Sequence, residues 1–117
     1  MKQIGIIGMG KWGKNLIREF TNFAEISICV TTGNQENRKW IQKNFPKTKF
    51  STNLNSILSD NNIDAVVIAT PISTHYALIK KSLESGKHVF VEKPMAQTVT
   101  QINNLIKIAK KKELNLC

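Results

Sequence analysis

"GIIGMGKWG", residues 5–13, sets four glycines beside two isoleucines within one short stretch. Glycine loses more conformational entropy on folding than any other residue, so a chain keeps it where bare backbone is required. Gly8, Gly10 and Gly13 fit the spacing G-x-G-x-x-G. That pattern is weak alone and becomes informative when a strand precedes it and a helix follows. "QIGIIG" (3–8) has the near-continuous apolar character of a strand covered on both faces, and Trp12, Leu16, Phe20 and Phe23 recur at helical spacing from about Lys11 onward. A strand turning into a helix through glycines presents unpaired N–H groups at the helix start, which attract a phosphate. Gly8 then allows the tight turn, Gly10 lets a pyrophosphate approach without meeting a Cβ, and Gly13 lets the helix pack closely on the sheet. Gly5 lies outside this spacing and is expected to face a packed neighbour.

The same alternation continues along the chain. "ISICVT" (26–31) reads as a second buried strand, and Gln35 to Asn44 as a helix with Trp40 and Ile41 on its apolar edge and Pro46 just beyond. "KF" (49–50) is a weak strand and "LNSILSD" (54–60) a short helix. "DAVVIAT" (64–70) is the clearest buried strand, interrupted by Pro71. Ser73 is expected to cap a helix running to Ser85, with Gly86 as its stop. "HVFVE" (88–92) follows as a strand, and Thr98 to Gln101 has capping-box spacing ahead of a helix carrying Val99, Ile102, Leu105, Ile106 and Ala109 on one side. The final "LNLC" begins another strand. With no repeat, low-complexity stretch or linker, residues 1–117 read as one domain of class α/β, a doubly wound parallel sheet of Rossmann type.

Composition narrows the function classes. Hydrophobic residues make up 41% of the chain, the proportion of an ordinary globular domain. No apolar run approaches the roughly 20 residues of a membrane helix, and glycines break any signal-peptide core, so no membrane contact and a cytoplasmic location are the expectations. The two cysteines, Cys29 and Cys117, lack metal-ligand spacing, and Cys29 inside an apolar run reads as a buried reduced thiol. The formal charge of +9 raises nucleic acid as a partner. The lysines are spread, however, and the densest cluster, Lys110 to Lys112, closes a helix whose dipole it complements. No aromatic-basic interleaving accompanies them, which argues against nucleic acid. A basic field would also draw in an anionic phosphate ligand.

A second informative stretch is "AVVIATPISTHYALIKKSLESGKHVFVEKPMA", residues 65–96. Thr70 and Pro71 end one strand and Glu92-Lys93-Pro94 ends the next, both on the edge where open α/β sheets bind ligands. In an arbitrary sequence Lys93 would be a surface lysine. Together with the glycine spacing, T-P-x-x-x-H and E-K-P, this chain resembles the N-terminal domain of the Gfo/Idh/MocA oxidoreductases over essentially all 117 residues. "WGKN" and "ATPISTHY" are most similar to members that oxidise nucleotide-linked amino-sugar acids. The resemblance implies NAD or NADP as cofactor and hydride transfer at a sugar carbon. It places Gly8, Gly10, Lys11 and Trp12 along the pyrophosphate, Thr70, Pro71 and His75 along the cofactor, Glu92 near the nicotinamide, and Lys93 as the residue that assists proton movement at the sugar. His75 reads equally as a residue satisfied locally at a helix start, and Trp12 as helix packing with a useful backbone N–H.

Two departures qualify that resemblance. NAD-specific members carry an acidic residue at the end of the second strand, where this chain has Val30-Thr31-Thr32-Gly33-Asn34 and no carboxylate between Glu25 and Glu36. Thr31, Thr32 and the nearby N–H groups are then left to hold ribose oxygens. Arg38 and Lys39 read either as solvated charges or as partners for a 2′-phosphate, so weak discrimination between NAD and NADP is expected. Family enzymes also continue into a substrate-binding second domain with no counterpart here. The expectation is a cofactor-binding domain, truncated or naturally short, completed by a substrate domain or a separate chain carrying one. A homo-oligomer is a further expectation. The alternative is a non-catalytic dinucleotide-binding or interaction module.

Overall fold

A computed structural model of the chain describes residues 3–8, 13–22, 24–31, 35–92 and 94–117. In order these form β1 (Gln3–Ile7), α1 (Gly13–Phe20), β2 (Glu25–Val30), α2 (Gln35–Asn44), β3 (Lys49–Ser51), α3 (Asn55–Leu58), β4 (Ala65–Ile68), a 3-10 turn (Ile72–Thr74), α4 (His75–Glu84), β5 (His88–Val91) and α5 (Val99–Lys111). The five strands are parallel and lie in the order β3-β2-β1-β4-β5. Sequence order therefore reverses direction at the β1/β4 pair, the switch point where such sheets bind ligands.

The apolar runs reflect burial on both faces. Ile4, Ile6, Ile26, Cys29 and Val67 pack in one cluster with Ile17 of α1 and Ile41 of α2. Ile7, Ile28, Val30, Val66, Ile68, Val89 and Val91 pack in the other with Ile57, Ile79, Leu83 and Leu105 from α3, α4 and α5. Each such aliphatic side chain contributes about 1.5–3 kcal/mol by leaving water. Ile26 and Ile28 would share a face in a regular strand. The register shift between Ile4 and Gly5, which pair with Ile26 and Ile28, leaves Ser27 as an extra residue, and the two isoleucines reach opposite clusters. Ser27 donates its hydroxyl to Gln3 Oε1 at 3.1 Å. Gly5 meets the expectation of a packed neighbour, because a Cβ there would lie 2.9 Å from Ile57 Cδ1.

Helix ends follow local chemistry. Thr98 caps α5 by accepting from Gln101 N–H at 3.1 Å, and Gln101 Oε1 accepts from Gln97 N–H at 3.2 Å, one residue earlier than the standard reciprocal bond. Ser73 does not cap α4. It lies within the 3-10 turn, and α4 starts at His75 after Thr74, which makes no side-chain cap bond and whose hydroxyl donates to Pro71 C=O at 2.6 Å. At the other end of α4, Gly86 has φ +81, with Gly86 N–H on Leu83 C=O and Lys87 N–H on Ser82 C=O, a Schellman stop. That turn sends Lys87 inward. It is 3% exposed and donates to the carbonyls of Asp60 (2.5 Å) and Ile63 (2.8 Å), joining the start of β5 to the loop before β4.

The segment starting at Leu114 adds a parallel bridge at Leu116 to Val89, with Val89 N–H on Asn115 C=O and Val91 N–H on Cys117 C=O. The strand expected there does begin to pair with β5. Cys29 is fully buried, and desolvation pushes its thiol up to about 12. Among the described residues no helix is long and apolar enough to cross a membrane, and no cluster of histidine, cysteine or carboxylate side chains has the makings of a metal site.

Candidate functional site

Because all five strands are parallel, the carboxyl ends of β1, β2, β4 and β5 share one edge. Gly8 leaves β1 there with φ +86, a conformation that L side chains rarely adopt. Its N–H donates to Val30 C=O at 2.7 Å, while Ala69 N–H donates to Ile7 C=O at 2.8 Å. The turn is thus tied to β2 on one side and β4 on the other. A Cβ on Gly8 would lie 2.5 Å from Thr70 Cγ2 and 2.6 Å from Ala69 O. The position demands glycine for its backbone angle and for its closeness to β4, as the first glycine of a phosphate turn should. The described part of α1 begins at Gly13, in register with the last glycine of the spacing.

Thr70 links the neighbouring loop. Its methyl faces Gly8, its hydroxyl pairs with Thr74 Oγ1 at 2.6 Å, and its carbonyl lies 2.8 Å from His75 Nε2. Pro71 is exposed with φ −59 and ψ 148, which turns the chain from β4 towards α4. His75 is buried, and its other nitrogen, Nδ1, lies 3.1 Å from Pro94 C=O. Both ring nitrogens therefore face backbone carbonyls. Glu92 and Pro94 are exposed just past β5 on the same edge. Thr31, just past β2, is buried, and its N–H donates to Ser51 C=O at 3.0 Å, extending the β2/β3 ladder. Gly10, Lys11, Trp12, Thr32 and Lys93 lie outside the described residues. The Arg38 guanidinium sits 5.8 Å from the centre of the Phe50 ring, on the β2/β3 side of the edge.

The sequence did not disclose the bond from His75 to Pro94, which spans 19 residues, nor the Thr70–Thr74 hydroxyl pair across the proline. The four-residue spacing of those threonines was the one available sign of the latter.

Residues 2–117 match an oxidoreductase family with an NAD-binding Rossmann fold, GFO_IDH_MocA. The chain belongs to the Gfo/Idh/MocA oxidoreductase family. Among curated relatives, the oxidoreductase YdgJ of Escherichia coli K12 is 31% identical over 109 residues, covering 92% of this chain and 31% of YdgJ. The scyllo-inositol 2-dehydrogenase (NAD(+)) of Bacillus subtilis is 33% identical over 100 residues, covering 82% of this chain and 29% of the relative. Among solved structures, GenD2 from gentamicin A biosynthesis, in complex with NAD, superposes with TM-score 0.92 over 99% of this chain and 33% of GenD2. At 21% identity that likeness speaks for the fold. The chain spans 20–31% of the length of the first curated Gfo/Idh/MocA relatives it matches. The family match shows an NAD-binding oxidoreductase family domain, and the structure shows the parallel sheet expected from its apolar runs.

Proposed function

We propose that this domain binds a nicotinamide dinucleotide across the β1/β4 crevice and serves a dehydrogenase that moves a hydride between a sugar carbon and NAD(P). The observation that carries the binding step is the Gly8 turn, whose φ of +86 and close approach to Thr70 and Ala69 leave no place for a Cβ and hold the exit of β1 at the β1/β4 crevice. The N–H groups at the start of α1 would hold the pyrophosphate, and Gly10 would keep that approach clear. Thr31 and Thr32 would face the adenosine ribose. The loops after β4 and β5, with Thr70, Pro71, Glu92 and Pro94, would flank the nicotinamide half. The cofactor, when bound, supplies hydride acceptance and donation. The chain's own chemical contribution is a proton carrier, and Lys93, next to Pro94 on the β5 loop, is the residue placed in sequence to move a proton at the sugar hydroxyl. The inositol dehydrogenase among the relatives supports a polyhydroxylated substrate.

Calorimetric titration of the chain with NADH and NADPH tests the reading. Binding is expected in the wild type and is expected to be abolished in Gly10→Val, which places a branched side chain against the pyrophosphate. Undiminished affinity in that variant would move the phosphate site elsewhere.

A further inference from the structure

His75 occupies the first position of α4, yet both its ring nitrogens face carbonyls outside the helix. The β4/β5 ladder ends at the Ile68–Val91 pair. Beyond it lie the turn at Thr70-Pro71 and, after β5, Glu92 and Pro94, and among the described residues no ladder bond joins the two. The imidazole bridges that gap, with Nε2 2.8 Å from Thr70 C=O and Nδ1 3.1 Å from Pro94 C=O. It is 5% exposed, so water offers these bonds little competition. A neutral imidazole carries one N–H, so each tautomer donates to one of the two carbonyls.

We infer that His75 is a positioning residue for the nicotinamide half of the cofactor site. It fixes Pro94, beyond β5, against the β4 turn at Thr70. This rests on the dinucleotide reading of the crevice. In a doubly wound sheet the switch point divides the cofactor, with the adenosine ribose on the β2 side and the remaining half above β4 and β5. Both carbonyls that the His75 ring faces belong to elements of the second kind. Loosening it therefore affects recognition of the nicotinamide half and spares that of the adenosine diphosphate half.

The test compares NADH with ADP-ribose, which lacks nicotinamide, by calorimetry on the wild type, His75→Gln and His75→Ala. Gln keeps an amide nitrogen near the Nε2 position and one bond of the two. Lys87→Met serves as a control that removes two buried hydrogen bonds at the opposite edge of the sheet. Amide hydrogen exchange across residues 88–98 is followed without cofactor in the same proteins. The expected result is a loss of about tenfold in NADH affinity for both His75 variants, with ADP-ribose unchanged within about twofold. Exchange in the β5 loop should quicken in both, while Lys87→Met keeps the wild-type ratio of the two affinities. A parallel loss for both ligands would show general destabilisation and overturn the inference, as would no loss or unchanged loop exchange. If the wild type binds neither ligand, the dinucleotide reading fails on its own, and the bridge is judged by the exchange rates alone.

Discussion

At the scale of single residues, the close contacts convert directly into expected costs. A methyl at Gly5 would press on Ile57, a fully buried side chain with three atoms between 2.9 and 3.0 Å of the added carbon. Gly5→Ala is expected to destabilise the fold by about 1–3 kcal/mol, the usual cost of overpacking. Adding Ile57→Val should recover part of it, and urea unfolding of both singles and the double gives the coupling. Cys29 makes a different kind of prediction. Its thiol, pushed up to about 12 from 9.0 by desolvation, stays neutral when folded and ionises sooner when unfolded. Because the folded state holds this proton more tightly, the contribution of Cys29 is full below pH 9 and declines as pH rises towards 12. The difference in stability between wild type and Cys29→Ala, measured across that range, should shrink accordingly. Native protein should also consume one equivalent of alkylating reagent at exposed Cys117, and a second only after unfolding.

At the scale of elements, α4 and α5 end in the same hydrogen-bonded turn made by different residues. In α5, Glu113 N–H meets Lys110 C=O and Leu114 N–H meets Ala109 C=O, with Glu113 at φ 57 where α4 has Gly86. A left-handed residue with a Cβ costs about 1–2 kcal/mol, so Glu113→Gly should raise stability by about 1 kcal/mol, and Gly86→Ala should lower it by a similar amount. Thermal unfolding of the pair checks the opposed signs. The stop at Gly86 was legible because glycine after a periodic run is itself the chemical cause of the ending. The stop at Glu113 was not, since nothing in a glutamate announces positive φ. The start of α4 misled for a related reason: Ser73 has cap chemistry, but Thr74 captured the Pro71 carbonyl and tightened the chain into a 3-10 turn first. Strands were read well because burial on both faces leaves a continuous apolar run, although the extra residue at Ser27 left no mark in the pattern. Lys87 was invisible as a core residue because its partners are backbone carbonyls more than twenty positions away.

At the scale of the whole molecule, a formal charge of +9 sits beside a β2 end without a carboxylate. A 2′-phosphate meets no repulsion from such a carboxylate, and Arg38, held over Phe50, is a cation on the β2/β3 side. NAD should be preferred over NADP by no more than about tenfold, equivalent to about 1.4 kcal/mol. Arg38→Ala should weaken NADP and leave NAD unchanged, and raising ionic strength should narrow the NADP affinity more than that of NAD. Paired titrations at two salt concentrations check all three. A hundredfold preference for NAD would mean that another group performs the carboxylate's task. The glycine turn and the T-P and E-K-P segments were readable in the chain because their residue types are themselves the chemistry. The bridge that ties those segments together was not, because it is a contact between distant positions.

The placement of β1 between β2 and β4 has a consequence for synthesis. As the chain leaves the ribosome, β1, β2 and β3 appear first and can pair in turn over short separations. The other edge of β1 must wait for Ala65–Ile68, some sixty residues later, and until then Ile4 to Ile7 present an unsatisfied row of backbone groups and an open apolar face. The nascent chain thus carries half a crevice. Gly8 is turned and tied to Val30 before Thr70 exists to close against it. Chaperone engagement and premature association should accordingly peak while β4 is still inside the tunnel and fall once Thr70 has emerged, a window that crosslinking of arrested chains of graded length would reveal.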